Sequence, residues 1–258
     1  MARSAITVQQ SREGVAVVSI DRPPANALTT ETVTQLREIL DGFAPEGRAV
    51  VMKSDNPRFF CAGGDINDFA TMDGDQLDER MTRFHEWLIR LETYPGPLVV
   101  AINGIAVGAG CEMLLYADRV VSGSATRIGF PEVRNGVLPA AKGIYDLQCA
   151  VGYLRARKIM LSGELLHVIQ ARDLGLVDEI VPEEELVDTA IQCAGEYAAR
   201  PAVLHAAIKA QARPGRRATN DELLAESLER MHAYRNDPAT QQARSRWRGD
   251  PTGSRKER

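Results

Sequence analysis

The sequence predicts an α/β fold in which helices pack on a largely buried sheet. Short β-branched runs, such as residues 15–20 and 49–52, alternate with stretches whose apolar residues recur at helical spacing. Glycine and proline separate these runs, as expected between strands and amphipathic helices. The chain has 258 residues, of which 44% are hydrophobic. It can therefore build one large core with a smaller appendage.

The first half of the chain alternates strands with helices. Strands are predicted at residues 15–20, 49–52, 98–102 and 119–122. A helix is predicted from Thr29 or Thr30 to Phe43, because a capping threonine precedes apolar residues at helical spacing. A second helix over residues 75–92 ends at Pro95-Gly96-Pro97. This order favours a sheet that helices cover.

Beyond about residue 145 the pattern becomes mostly helical. Helices are predicted at residues 151–161, 170–174, 183–199, 201–212 and 221–234, with one strand at 176–181. We therefore divide the chain into a core at 1–195 and a C-terminal helical region at 196–258. Residues 244–258 carry six Lys and Arg among Gly, Pro and Ser and are expected to form a frayed, solvated tail. An ordered subunit contact or a weak anionic partner is the alternative for this tail.

Charge and apolar patterning argue against several classes of protein. The formal net charge is −4, whereas a nucleic-acid binder needs a concentrated basic face. Residues 1–10 lack the apolar stretch of a secretory signal. Residues 96–117 are long enough to cross a bilayer, but they contain Asn103, Glu112 and several glycines, so a buried strand, turn and helix is predicted. We expect neither nucleic acid nor a membrane as a partner.

The four cysteines lie far apart in the sequence. They are Cys61, Cys111, Cys149 and Cys193, and none belongs to a CxxC or HxxxC pattern. This spacing favours buried, reduced thiols in a cytoplasmic protein over a disulfide or a metal site.

Two glycine-rich segments lie where a strand is expected to give way to a helix. They are Cys61-Ala-Gly-Gly-Asp65 and Gly104-Ile-Ala-Val-Gly-Ala-Gly110. Small residues allow backbone N–H groups to approach a ligand closely, and the first turn of a helix leaves such donors unpaired. One donor from each segment can stabilise an oxyanion on a carbonyl oxygen. A tight turn without a ligand is the alternative for each segment, and neither segment carries a Walker lysine-serine pair.

Two glutamates accompany these segments. Glu112 falls in the first turn of the helix predicted to open at Gly110, among Cys111, Met113 and other apolar residues. A carboxylate in such surroundings is either buried for a purpose or turned toward a cavity. Glu132 follows twenty residues later, beside the stiff Pro131. An ordinary surface position is the alternative for both glutamates.

Four short motifs follow one another along the chain. They are Asp21-Arg-Pro-Pro-Ala-Asn-Ala-Leu28, Phe60-Cys-Ala-Gly-Gly-Asp-Ile66, Gly108-Ala-Gly-Cys-Glu112 and Ile128-Gly-Phe-Pro-Glu132. Each motif is modest, but the ordered set resembles the crotonase superfamily. Together with two later segments, at residues 156–163 and 171–177, the resemblance covers about residues 10–185. The resemblance implies a spiral of ββα repeats with a C-terminal helical region that covers the active site and takes part in oligomerisation. It also implies assembly as a homotrimer or homohexamer.

The resemblance implies an enzyme that binds acyl-CoA thioesters, with CoA as part of the substrate and no separate cofactor or metal. By position, the backbone N–H groups of Gly64 and Ala109 would form the oxyanion hole. Glu112 and Glu132 match the two glutamates of enoyl-CoA hydratases, which flank the water that adds across the 2,3 double bond. Isomerisation, decarboxylation and thioester hydrolysis are alternative reactions on the same oxyanion hole. An acyl-CoA-binding subunit without turnover is a third alternative.

For CoA itself, the resemblance implies backbone contacts from two segments. They comprise Asn26, Ala27 and Leu28 in the first segment and Ala62, Asp65 and Ile66 in the second. Arg22 is a candidate for a phosphate contact, with a plain surface arginine as the alternative.

The sequence departs from the family at two positions near the proposed acyl pocket. Alanine stands at Ala109, where relatives usually have glycine, and Lys142 stands where relatives commonly have glycine. Our hypothesis is that Lys142 lies at the substrate pocket and favours a polar or carboxylated acyl chain by charge pairing. Pairing with a protein carboxylate or pointing to solvent are the alternatives.

Overall fold

The computed structural model describes residues 5–66, 71–139, 141–212, 220–235 and 237–249. Within these ranges the strands are β1 (Ile6–Gln10), β2 (Ala16–Ile20), β3 (Val50–Ser54), β4 (Phe59–Cys61), β5 (Leu98–Ile102), β6 (Ile105–Val107), β7 (Arg119–Gly123), β8 (Arg127–Gly129), β9 (Leu166–His167) and β10 (Glu179–Val181). The helices are α1 (Thr30–Phe43), α2 (Gly74–Thr93), α3 (Ala109–Glu112), α4 (Ala141–Val151), α5 (Tyr153–Ser162), α6 (Val168–Asp173), α7 (Leu186–Ala198), α8 (Ala202–Gln211), α9 (Asn220–Arg235) and α10 (Pro238–Gly249). Short 3₁₀ turns occupy Ala44–Glu46, Met113–Tyr116, Glu132–Asn135 and Glu183–Glu185.

Three successive units each contribute one strand to each of two sheets. The six-stranded sheet has the order β1-β2-β3-β5-β7-β10, and the four-stranded sheet has the order β4-β6-β8-β9. The units β3-β4-α2, β5-β6-α3 and β7-β8-α4 repeat the same ββα order, and their strands pair in parallel within each sheet. This is the spiral of ββα repeats that the resemblance implies, and helices α7 to α10 follow it. The predicted fold class is thus confirmed.

The core occupies both faces of the six-stranded sheet. Side chains alternate along each strand, so Val50 and Met52 join one buried cluster and Val51 joins the other. Helices α1 and α2 cover the first face, where Trp87 is completely buried. Helix α7 covers the second face with Leu186, Ala190 and Ala194. Burial on both faces explains why these strands consist of nearly continuous apolar runs.

The two long helices of the first half begin with side-chain caps. The Thr29 hydroxyl accepts a hydrogen bond from the N–H of Thr32 at 3.2 Å, which satisfies one free donor of α1. Asp73 and Gln76 form a reciprocal capping box at the start of α2. Of the two threonines predicted to cap α1, Thr29 is therefore the cap.

Several predicted elements differ from the structure. Strand β1 is largely exposed beyond Ile6 and lacks the apolar pattern of a buried strand. The strands of the four-stranded sheet have only two or three residues, too few for a periodic pattern. Helix α4 was not predicted, since polar residues interrupt its apolar spacing. Of the strand predicted at 176–181, only the residues of β10 form a strand. The helix predicted to open at Gly110 is the short α3, and a 3₁₀ turn follows it.

The C-terminal predictions need two corrections. Residues 244–249 belong to α10, so the expectation of a frayed tail is wrong there; residues 250–258 lie outside the described ranges. Helix α10 forms because Asp237 caps it, accepting from the N–H of Thr240 at 2.8 Å, and Pro238 suits its first turn. The predicted boundary after residue 195 falls inside α7, which packs on the sheet.

All four cysteines are free thiols. Cys61 and Cys111 are buried as predicted, whereas Cys149 is exposed and Cys193 is half-buried. In the described part of the chain no helix is long and apolar enough to cross a membrane. No group of three or more His, Cys, Asp or Glu residues in that part could hold a metal ion.

Candidate active site

A cavity of about 130 Å³ opens where the two glycine-rich segments meet. Gly64 lines it from the segment after β4, and Ala109 lines it from the start of α3. Glu112 and Glu132 line the same cavity. The fold therefore brings together the four residues that the sequence placed at the centre of the site.

Glycine is required where the two segments touch. Gly63 and Gly108 adopt positive φ angles of 82° and 55°. A Cβ on Gly63 would lie 2.9 Å from the carbonyl oxygen of Val107 and 3.6 Å from the nitrogen of Ala109. The backbone of one segment thus packs directly on the backbone of the other.

The backbone pairing orients the N–H group of Gly64. Leu28 forms a parallel bridge with Gly64, in which the N–H of Leu28 donates to Gly63 O at 2.7 Å and the N–H of Asp65 donates to Leu28 O at 2.9 Å. Since successive amides point to opposite sides of an extended backbone, the N–H of Gly64 points away from Leu28.

The N–H of Ala109 is the second potential donor. Ala109 is the first residue of α3, and the N–H groups of a first helical turn have no partner inside the helix. The N–H of Gly108, by contrast, donates to Gly129 O at 3.0 Å. The donor available at this point of the cavity wall is therefore the N–H of Ala109. The methyl group of alanine, which stands where glycine is expected from the resemblance, does not remove this N–H.

Glu112 is completely buried. Helix α3 carries it into the cavity wall, and the first turn of α4 closes over it at Gly143. A Cβ on Gly143 would overlap Oε1 of Glu112. The backbone of α4 therefore rests on the Glu112 carboxyl group.

Glu132 begins the 3₁₀ turn that follows Pro131. Its Oε1 atom would lie 2.7 Å from a Cβ on Gly108, so the carboxyl group lies beside the second glycine segment. Its Oε2 atom is buried and has no hydrogen-bond partner among the described residues. Burial raises the pKa of Glu132, so this side chain keeps its proton at a higher pH than an ordinary glutamate.

Arg80 is a site residue that sequence reasoning missed. It lines the cavity from α2 and is 7% exposed, with its guanidinium 4.6 Å from the centre of the Phe84 ring. Its Nη2 would lie 2.5 Å from a Cβ on Gly64. A signal was present in the sequence: Arg80 lies three residues after Leu77 and four before Phe84, on the apolar face of the helix.

Lys142 does not line the cavity. Its Nζ atom lies 3.2 Å from Oε2 of Glu92 and 3.4 Å from Oδ2 of Asp146. The alternative of pairing with a protein carboxylate is therefore the one found, and the hypothesis that Lys142 lies at the substrate pocket is corrected. As the second residue of α4, Lys142 extends toward α2 while Gly143 meets Glu112.

Arg22 links the two segments predicted to contact CoA. Its Nη1 atom lies 2.8 Å from Oδ2 of Asp65 and donates to Ala27 O at 3.0 Å. A phosphate contact by Arg22 stays a prediction, and it would have to share the guanidinium with Asp65.

The backbone of the predicted CoA segments is largely engaged within the protein. The N–H donors with internal acceptors are Asn26 to Arg22 O, Leu28 to Gly63 O, Ala62 to Ala25 O and Asp65 to Leu28 O. The side chain of Asn26 is buried and donates to Ser54 Oγ at 2.7 Å. Ala62, Asp65 and Ile66 line the cavity, whereas Asn26, Ala27 and Leu28 are not among its lining residues. Contacts of these residues with CoA stay a prediction.

Comparison with known proteins gives consistent results. The model of a family described as enoyl-CoA hydratase/isomerase matches residues 10–246. The chain is 37% identical over 203 residues to the 2,3-dehydroadipyl-CoA hydratase of Escherichia coli K12, covering 77% of this chain and 78% of that protein. It is 31% identical over 188 residues to a probable enoyl-CoA hydratase of Bacillus subtilis 168, covering 71% and 72%. The solved structure of Pseudomonas aeruginosa DspI superposes with a TM-score of 0.86 at 28% identity, covering 96% of this chain and 95% of that one.

Proposed function

Since this chain belongs to the enoyl-CoA hydratase/isomerase family, we propose that it is an enoyl-CoA hydratase. The reaction is the syn addition of water to a 2,3-unsaturated acyl-CoA thioester, or the reverse dehydration. One observation carries the proposal: Glu112 and Glu132 line the same cavity as the two candidate backbone donors Gly64 and Ala109.

The two backbone donors would serve the carbonyl oxygen of the thioester. Attack of water on the conjugated double bond moves negative charge onto that oxygen, so donors fixed beside it stabilise the transition state more than the ground state. The N–H groups of Gly64 and Ala109 fit this role because the backbone pairing and the helix start leave them available. Each donor is expected to contribute about 3 kcal/mol.

The two carboxyl groups would handle the protons. As the oxygen of water bonds to C3, Glu112 as carboxylate takes one proton from that water, and Glu132 as carboxylic acid gives its proton to C2. The product then carries the hydroxyl of water at C3 and the former proton of Glu132 at C2. Glu112 holds the other proton of the water, and proton exchange with solvent returns both glutamates to their starting states. The raised pKa of Glu132 supports its assignment as the protonated member of the pair. Dehydration uses the same groups in reverse.

The charge at the cavity wall favours an acyl group with an acidic end. Arg80 places a buried guanidinium at the cavity wall. A carboxylate loses its hydration when it enters such a cavity, and a guanidinium offers charge and paired donors in return. The Escherichia coli relative is named for 2,3-dehydroadipyl-CoA, an acyl-CoA that ends in a carboxylate. We therefore propose that Arg80, and not Lys142, selects a polar or carboxylated acyl chain.

The experiment is a product assay with crotonyl-CoA and with 2,3-dehydroadipyl-CoA. A hydratase removes the absorbance of the conjugated thioester and adds the mass of one water to the product. An isomerase shifts the double bond at constant mass, and a thioesterase releases free CoA. Product of unchanged mass, or released CoA without hydration, would overturn the proposal.

A further inference from the structure

Helix α4 packs directly on Glu112, which lines the cavity. Its first turn carries Lys142 and Gly143 side by side, and they face in different directions. Gly143 meets the Glu112 carboxyl group so closely that a Cβ there would overlap Oε1. Lys142 extends instead toward the last turn of α2. The position of α4 therefore determines which atoms surround the Glu112 carboxyl group.

The Lys142 side chain joins α4 to two other elements. Its ammonium lies 3.2 Å from Glu92 at the end of α2 and 3.4 Å from Asp146 one turn along α4. Asp146 in turn accepts a hydrogen bond from the hydroxyl of Tyr116. Tyr116 ends the 3₁₀ turn that directly continues α3, the helix that carries Glu112. One small polar network thus connects α2, α4 and the α3 turn around the site.

This network is poor in positive charge. The ionisable groups facing it are Glu92 from α2, Lys142 and Asp146 from α4, Tyr116 from the 3₁₀ turn and Glu112 from α3. Burial, followed by the hydrogen bond to Asp146, raises the pKa of Tyr116, so its phenol stays protonated and donates. Lys142 supplies the only ammonium among these groups, and the Asp146 side chain is 1% exposed. Removing that ammonium would leave the buried Asp146 carboxylate and the half-buried Glu92 carboxylate without their shared cation.

We propose that Lys142 is a positioning residue. By bridging Glu92 and Asp146, it holds the first turn of α4 against Glu112 and keeps the Glu112 carboxyl group aimed into the cavity. The inference rests on the proposed role of Glu112 in turnover. It differs from that role because Lys142 itself touches no substrate.

The position of Lys142 predicts a specific kinetic effect. The predicted CoA segments lie beside β4, whereas the ion pairs of Lys142 are with Glu92 and Asp146, which belong to neither segment. Loss of the ammonium should therefore move Glu112 relative to the substrate and leave CoA binding intact. A misplacement near 1 Å at a catalytic group can lower the rate by roughly 100-fold. We expect kcat of Lys142→Met to fall by about 10- to 100-fold, with KM nearly unchanged.

The experiment measures kcat and KM, for whichever enoyl-CoA reaction the wild type catalyses, in four variants. Lys142→Met removes the ammonium, and Lys142→Arg keeps a cation. The triple variant Glu92→Gln, Lys142→Met, Asp146→Asn removes the carboxylates as well. Lys158→Met, at an exposed lysine on α5, is the matched control. We expect Lys142→Arg and the triple variant to recover most of kcat, and Lys158→Met to match the wild type.

The neutral triple variant separates positioning from general damage to the fold. It lacks the ammonium as Lys142→Met does, so recovery of kcat in it would show that the unbalanced carboxylates, and not the loss of the lysine side chain, lower kcat. Wild-type kcat in Lys142→Met would overturn the inference. It would also be overturned by a loss of kcat that neither arginine nor the neutral triple variant restores. Failure of the proposed function is distinguishable, because it appears as a wild-type product other than the hydrated thioester.

Discussion

Glu132 holds a carboxyl oxygen that is buried without a hydrogen-bond partner among the described residues. Burial raises its pKa, so the folded protein binds this proton more tightly than the unfolded chain does. This proton stabilises the folded protein at pH values below the pKa of Glu132 in the unfolded chain. The stabilisation is lost as the pH rises through the pKa of Glu132 in the folded protein.

Replacing Glu132 by Gln should therefore stabilise the protein at pH 8, because the neutral amide avoids the cost of a buried charge. The gain in Tm over the wild type should shrink toward zero as the pH approaches 4. Thermal unfolding across this pH range measures the difference, with Glu38→Gln, an exposed glutamate of α1, as the control. A Tm difference between Glu132→Gln and the wild type that is smaller at pH 8 than at pH 4 would contradict this account of the burial of Glu132.

Arg80 is expected to act on substrate choice. Arg80→Met should lower kcat/KM for 2,3-dehydroadipyl-CoA by roughly 10- to 100-fold more than for crotonyl-CoA, because a charge-assisted contact contributes about 1.5–3 kcal/mol. Arg83→Met on the same helix, at a more exposed arginine, should leave the ratio of the two kcat/KM values unchanged. Equal losses for both substrates in Arg80→Met would argue against recognition of an acyl carboxylate.

The sequence identified some site residues and not others for physical reasons. Glu112 was recognisable because a carboxylate among apolar neighbours needs an explanation, and the structure places it, completely buried, at the cavity. Arg80 carried the same signal within α2, but a long arginine side chain also fits at the edge of an apolar face. The pairing of Lys142 with Glu92 could not be predicted, because Glu92 lies fifty residues away and only the packing of α2 on α4 brings it close.

Helix α8 is tied to the sheet by one half-buried carboxylate. Asp118 accepts from the N–H of Leu98 at 2.8 Å and from the ammonium of Lys209 at 2.8 Å, with His205 at 3.4 Å. Burial opposes ionisation of Asp118, but hydrogen bonds from His205 and Lys209 outweigh it and lower its pKa. The contacts of the Asp118 carboxylate stabilise the folded protein at pH values above the pKa of Asp118 in the unfolded chain. The stabilisation is lost as the pH falls through the pKa of Asp118 in the folded protein.

Lys209→Met should lower the free energy of unfolding by about 2 kcal/mol at pH 7, because it leaves the Asp118 carboxylate without its closest cation. Denaturant unfolding measures the loss, which should diminish at acidic pH. In a double-mutant cycle with Asp118→Asn, the double variant should lose less than the sum of the two single losses. Additive losses would mean that the two side chains do not interact.

Elements differed in how far the sequence predicted them. Helices α1 and α2 were predictable within a few residues because a cap precedes a long apolar stripe in each. The short strands of the four-stranded sheet and α4 were not, since their position depends on pairing and packing with distant segments. The parallel pairing of β4, β6 and β8 brings the two glycine segments together, and it is visible only in the folded chain.

The whole molecule is expected to assemble as a trimer or hexamer, as the family resemblance implies. Large apolar side chains are exposed on α5, among them Leu154 at 66% and Leu161 at 65%. Light scattering coupled to size-exclusion chromatography should give a mass of three or six chains, and Leu154→Glu is expected to shift this mass downward if α5 lies at the interface. A monomeric wild type at micromolar concentration would contradict the expected assembly.

On the proposed function, Glu112 performs chemistry in a cavity that binds the thioester independently of it. The direct measurement is kcat for hydration of the preferred enoyl-CoA by Glu112→Gln, together with Kd for a saturated acyl-CoA. Gln keeps the shape of the side chain but cannot take a proton from water, so kcat should fall by about 10²- to 10⁴-fold with Kd nearly unchanged. A kcat close to that of the wild type would contradict the account.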